Sequence, residues 1–223
     1  MASKRESLIA SAEKSLLKGK VDAALKDYLK VLEETPNDIN VLNKVGDLFV
    51  RLGRNDESIP FFLRIAEHYA RDGFYVRGIA MYKKINKLDP ARLDIYEKLA
   101  ELYVKQQLWM EAKSNYQVLA DYLLKQDNLQ GAVGIYQKMV AIEPQNLQLH
   151  VRLADLFTQA KRLPEALQEY AVVAAALSER GANEESIRVY EKALKLAPDN
   201  VDILRTLVPL LLSINSVEQA RSV

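Results

Sequence analysis

Apolar residues recur along this chain at steps of three and four, the period of a helix face rather than the alternation of a strand. Leu42, Val45, Leu48, Phe49 and Leu52 mark one helix, roughly 39–52. Ile59, Phe62, Leu63, Ala66, Tyr69 and Ala70 mark a second, roughly 56–71, and Ile79, Tyr82, Ile85 and Leu88 a third, roughly 75–88. The breaks between them read "LGRND", "RDGF" and "LDPA". Glycine stands where a helix end calls for a left-handed residue, and proline stops the third helix because it lacks an amide proton and disfavours a helical residue before it. No sustained period-two run bounded by turns occurs, so the chain reads as all-α.

The three-helix pattern repeats. "DYLKVLEETPND", "MYKKINKLDPAR", "IYQKMVAIEPQN" and "VYEKALKLAPDN" share one frame, and their prolines, Pro36, Pro90, Pro144 and Pro198, are each 54 residues apart. The same step aligns Tyr28, Tyr82, Tyr136 and Tyr190, and Lys30, Lys84, Lys138 and Lys192. It also aligns the small residues Ala12, Ala66, Ala120 and Ala174, and Ala24, Gly78, Ala132 and Ser186. Such columns identify a tandem array. The three helices of each unit are called first, middle and last below. Leu8 and Ala12 fall in the columns of Phe62 and Ala66, so the chain opens on a middle helix. It closes on a first helix, with "SVEQA" entering a further middle one. About twelve antiparallel helices result.

These columns resemble the tetratricopeptide repeat, a 34-residue helix pair. "ALKDYLKVLEETP", "GIAMYKKINKLDP", "GAVGIYQKMVAIEP" and "SIRVYEKALKLAP" match its second helix, which gives motifs at 3–36, 57–90, 111–144 and 165–198. The intervening helices, near 39–52, 93–106, 147–160 and 201–214, also resemble the start of a repeat, as in "VLNKVGDLFVRLGRNDESIPFF". The resemblance implies a single right-handed α-solenoid over 1–223, a superhelix whose concave face holds a partner. The departure is the odd number of helices per unit. Each middle helix closes one repeat and opens the next, so it should be the most enveloped, with Ala120 and Ala174 buried. "LQEYAVVAAALSE" is apolar nearly all round, as a buried helix should be.

Composition narrows the function. At 49% hydrophobic and 27% charged residues, the chain is too apolar for disorder. A net charge of +1 lacks the basic excess of a nucleic-acid binder. There is no cysteine, hence neither a disulfide nor a thiolate zinc site. The N-terminus has no signal-peptide pattern, and the apolar runs Ala171–Leu177 and Leu207–Leu212 fall far short of a membrane span. The expectation is a cytoplasmic protein. With two histidines, His68 and His150, and no ligand spacing, phosphate loop or nucleophile–base motif, neither an enzyme, a metal nor a cofactor is expected. His150 aligns with Leu42, Tyr96 and Leu204 and reads as a packing histidine. The tyrosine column reads as interface filling, with hydroxyls reaching the edge. The lysines two positions later read as solvated.

Partner-binding candidates come from charges and from residues that break the repeat. Asp47, Glu101 and Asp155 form an acidic column on first helices, and Glu13, Glu67 and Asp121 another on middle helices. Either they line a groove for a basic peptide, or Lys44, Lys98 and Arg152, three residues before the first set, neutralise it. The second set has no such regular partner and is the better groove candidate. Phe74 and Tyr75 are aromatics off the pattern, as is Trp109, which precedes a middle helix and reads as a hydrophobic staple. Relatives that bind chaperone tails carry a carboxylate clamp. The corresponding positions here are Ile9, Leu63, Gln117 and Ala171 with Glu13, Glu67, Asp121 and Ala175, so no clamp is expected.

Pro209 should kink or end the last helix, and "LVPLLLSI" is not the polar cap a solenoid end needs. The expectation is an N-terminal part of a longer protein, with self-association through this end as the alternative. The leading reading is a non-catalytic scaffold that binds a peptide or protein on its concave face. The alternative is a structural, self-assembling or stalk module, of the kind found in bacterial motility or polarity machinery, that docks a small GTPase.

Overall fold

A computed structural model describes residues 4–213. Twelve helices follow one another, with no strand among the described residues: α1 (Lys4–Leu17), α2 (Val21–Glu34), α3 (Ile39–Arg51), α4 (Asn55–Arg71), α5 (Tyr75–Leu88), α6 (Leu93–Lys105), α7 (Trp109–Lys125), α8 (Leu129–Ile142), α9 (Leu147–Gln159), α10 (Leu163–Glu179), α11 (Asn183–Leu196) and α12 (Val201–Ser213). The further middle helix expected around Ser216–Ala220 lies outside the described residues. The chain divides into two compact units, Met1–Asn115 and Tyr116–Val223.

Helix ends follow the local chemistry. Gly19, Gly53, Gly73 and Gly181 take φ between +71° and +80° just past helices α1, α3, α4 and α10. There a backbone without Cβ turns back at no steric cost, as where the Arg54 amide donates to Phe49 O at 2.9 Å. Gln107, Asp127 and Lys161 hold the same left-handed conformation with a side chain. At three of the four proline breaks an Asx residue opens the next helix: Asp38 accepts from the amides of Asn40 and Val41 at 3.1 Å, Asn146 from that of Leu149 at 3.4 Å, and Asn200 from that of Ile203 at 3.1 Å, whereas Arg92 opens α6 without a side-chain cap.

In the first unit, α4 lies against both α3 and α5, while α2 meets α3 and α5 meets α6 more loosely. In the second unit, α10 holds the same position between α9 and α11. The middle-helix alanines Ala12, Ala66, Ala120 and Ala174 are all fully buried, as the odd helix count requires. The outward face of α10 is not apolar by enclosure, however: Val172 stands 42% exposed. Small residues set the crossings. A Cβ on Gly46 of α3 would lie 2.6 Å from the Phe62 ring of α4, and one on Gly78 of α5 would lie 2.9 Å from Leu102 of α6. Ser186, in the column of Gly78, donates its buried hydroxyl to Ala174 O at 2.7 Å.

α12 continues through Pro209 to Ser213. Proline removes the bond to the carbonyl four residues back and crowds that carbonyl, but Leu207 and Leu211 on either side are fully buried, which holds the helix across the gap.

Candidate partner-binding groove

Charged side chains and aromatic rings interlock in the same way in both units. In the first, Lys84 Nζ of α5 sits 3.9 Å from the centroid of Phe62 on α4 and donates to Asp47 Oδ1 of α3 at 2.5 Å. In the second, Lys192 sits 5.0 Å from the centroid of Tyr170 and donates to Asp155 Oδ1 at 2.5 Å, and the Tyr170 hydroxyl donates to the same carboxylate. Lys138 lies over Tyr116 in the same fashion, at 5.7 Å. Lys84, Lys138 and Lys192 are therefore not simply solvated, whereas Lys30 is exposed as expected. Each ammonium rests on the ring of the middle helix, where cation and quadrupole attract. Burial opposes the Lys192 charge, but its hydrogen bonds to Asp155 and Tyr170 outweigh that and raise its pKa.

The acidic columns are rearranged accordingly. Asp47 and Asp155 pair across helices with Lys84 and Lys192, not with Lys44 and Arg152 three residues before them. Lys44 instead reaches back to Glu13 of α1 at 2.9 Å, which gives the second acidic column a partner the sequence did not reveal. That hydrogen bond raises the Lys44 pKa. The orientation of Cβ toward the preceding turn explains the error: residues that share a face at three-residue spacing need not point at each other when a neighbouring helix offers a nearer charge. Glu67 is exposed and lines a small polar cleft with Arg64, His68 and Arg71. Asp121 accepts from Gln117 at 2.7 Å. Glu101 is engaged too.

The tyrosine column is buried as expected, but its hydroxyls do not all reach the edge. The Tyr28 hydroxyl is buried without a hydrogen bond. Burial, reinforced by the carboxylates of Glu67, Glu101 and Asp94, pushes the Tyr82 phenol up to about 12. His150 is 7% exposed and satisfied on both nitrogens, Nδ1 lying 2.6 Å from Glu169 Oε2 and Nε2 3.0 Å from Pro144 O. One repeat earlier the Tyr96 hydroxyl donates to Pro90 O at 3.3 Å, so the column keeps a donor aimed at the proline carbonyl. Among the described residues no group of His, Cys, Asp or Glu is placed to hold a metal ion.

Phe74, 52% exposed, caps α5 and meets Tyr69 edge-on at 6.3 Å, with Arg77 over both rings at 5.3 and 5.6 Å. Tyr75 begins α5 and is half-buried. Trp109 is the first residue of α7 rather than the residue before its cap, which is not the staple position, and it is 42% exposed.

The feature that sequence reasoning missed is an open groove of about 530 Å³ in the second unit. Leu147 and Val151 of α9, Val173 and Leu177 of α10, and Val189 of α11 form its floor. Gln148, Arg152 and Asp155 edge it on the α9 side, and Glu185 and Arg188 on the α11 side. Two repeats earlier the same positions hold Asn43, Ile65, Tyr69, Arg77 and Met81 for Val151, Val173, Leu177, Glu185 and Val189. The signal was present in that non-repeating set, but no single column carries it.

An all-α array of repeated helices with interlocked columns defines the class of helical-repeat proteins. Tetratricopeptide-repeat family models match residues 123–179 and 167–200. Residues 123–200 therefore carry tetratricopeptide repeats. Among solved structures, a chain of the Naa15/Naa10 complex bound to HypK-THB is 15% identical, with a TM-score of 0.29, covering 94% of this chain and 39% of its own. YrrB, a tetratricopeptide-repeat protein with an unusual peptide-binding site, is 17% identical over 80% of this chain and 96% of its own, with a TM-score of 0.29. The Rap conjugation gene regulator of plasmid pLS20, in complex with the Phr* peptide, is 12% identical over 95% of this chain and 64% of its own, with a TM-score of 0.37. No curated protein matches.

Proposed function

We propose that the chain is a non-catalytic scaffold for protein–protein interaction and that it takes a peptide or protein partner in the α9–α11 groove. The observation that carries this reading is the floor of Leu147, Val151, Val173, Leu177 and Val189, an apolar concavity left open on a helical-repeat surface. Helix pairs stacked in one dimension present such grooves without the polar machinery an active site needs. The acidic columns support a basic peptide less well, since Glu13, Asp47 and Asp155 are already neutralised by lysines of this chain. Glu67, Asp121, Phe74, Tyr75 and Trp109 remain secondary candidates for contact. A second reading, self-association through α12, draws on Val201 and Leu212, which are 61% and 50% exposed.

The absence of cysteine makes a clean test available. A Gln148→Cys variant carrying a photo-crosslinker at the groove edge should capture a partner from lysate of the source organism. A Lys195→Cys control on the outer part of α11 should not. Equal capture from both positions rules the groove out.

A further inference from the structure

Resting on the reading of this groove as a partner site, we infer that the partner segment carries aliphatic anchors flanked by a carboxylate that pairs with Arg152. The floor is built only of leucine and valine, with no aromatic ring and no polar atom of its own to match, so it suits branched aliphatic side chains. The specificity must then come from the rim.

The repeat itself shows what the rim lacks. Lys44, Lys98 and Arg152 occupy one column of first-helix cations. Lys44 is answered by Glu13 at 2.9 Å from the middle helix before it. Arg152 is exposed at the groove edge and has neither a hydrogen bond nor an ion pair among the described residues. The acid in the place of Glu13 is Asp121, which is engaged by Gln117 instead. Asp155, the acidic neighbour of Arg152 on the groove edge, is neutralised by Lys192 and Tyr170 and so does not repel an incoming carboxylate. Across the groove Arg188 has only a 3.7 Å contact to Glu184 on its own helix, which leaves it as a second cation within the same rim. Glu185 is the rim acid without a neutralising partner among the described residues, and it stands on the α11 wall, where it favours an asymmetric segment with its carboxylate toward α9. An arginine beside an apolar floor binds a carboxylate in a bidentate fork while the floor excludes water.

A displayed library of random 16-residue peptides, selected in parallel on the intact chain and on its Arg152→Glu and Val173→Glu variants, tests this whatever the natural partner is. Peptides selected on the intact chain should combine aliphatic residues with an excess of Asp and Glu. Arg152→Glu should lose that excess and gain Lys and Arg, and the best acidic peptide should bind it at least about tenfold more weakly by fluorescence anisotropy, a difference that shrinks as salt rises. Selected peptides that depend on Val173 but show no charge preference, or the same preference on Arg152→Glu, overturn the carboxylate inference and leave the groove standing. Peptides that bind Val173→Glu undiminished, or no enrichment at all, overturn both. Circular dichroism guards the comparison: Arg152 makes no internal ion pair to lose, so its variant should melt with the intact chain. Because Val173 is 2% exposed, a loss of binding by Val173→Glu counts only if that variant also melts as a folded chain, with Val151→Glu at the half-buried part of the floor as the replacement if it does not.

Discussion

The triplets α3–α5 and α9–α11 are the same construction two repeats apart, and they use their variable positions differently. Both fix the middle helix with a cation over its ring and an acid beneath the cation, Asp47–Lys84–Phe62 in one and Asp155–Lys192–Tyr170 in the other. The first fills its remaining sites with bulk: Gly46 gives way to Phe62, Phe49 stacks on Phe61 at 5.6 Å, and Tyr69, Phe74 and Arg77 pack on one another. The second places His150 and Glu169 where the first has Leu42 and Phe61, and leaves an open apolar groove. Positions that recur build the scaffold, and positions that differ decide which stretch of it is free to bind.

The largest effect should come from the rings at the centre of each triplet. Phe62→Ala is expected to cost about 3–5 kcal/mol in urea unfolding, because a fully buried ring leaves a cavity and its cation loses its seat. A cost near zero would mean that α3–α5 does not hold together around this ring. Next comes the exchange of the polar pair for its apolar counterpart. His150→Leu alone strands the Glu169 carboxylate and should cost about 1–3 kcal/mol, whereas His150→Leu with Glu169→Phe, which copies Leu42 and Phe61, should recover part of it. Additive losses would show that the two positions act separately and that the comparison between the triplets fails there.

Smaller still is the helix-end test. Lys161 takes φ of 58° where the first unit has Gly53. Lys161→Gly should therefore stabilise the second unit by about 0.5–1 kcal/mol, as relief from the left-handed strain of a side chain outweighs the added freedom of the unfolded chain. The pH test concerns Tyr82. Its phenol is held neutral in the folded chain up to about 12, against an ordinary value of 10.0 in the unfolded one. The stability this contributes is present below pH 10 and lost as pH rises toward 12, because only the unfolded chain gains by ionising there. The unfolding midpoint should fall across that window, and Tyr82→Phe should flatten the fall. An unchanged slope would remove Tyr82 as its source.

Much of the fold was legible in the sequence because packing is periodic. The helix-face spacing placed α3, α4 and α5 to within a residue or two of their observed ends. The 54-residue step picked out Ala12, Ala66, Ala120 and Ala174 as enclosed positions, since a small residue is tolerated in every copy only where helices approach closely. Charge pairing was not legible. Lys44 lies three residues from Asp47 in sequence, yet Glu13 and Lys84 claim them from other helices. The groove was hidden for a related reason. It is defined by residues from three helices that do not repeat, and a periodic reading averages such residues away.

The central claim is that binding lies in what distinguishes α9–α11 from α3–α5. The most direct measurement transplants the first set of residues onto the second: Val151→Asn and Leu177→Tyr together give the groove the side chains of Asn43 and Tyr69. Affinity for the partner captured by crosslinking should then fall at least about tenfold by isothermal titration while the melting temperature stays within a few degrees. Undiminished affinity in a folded variant would contradict the account, because the partner would then be reading the repeated scaffold rather than the groove.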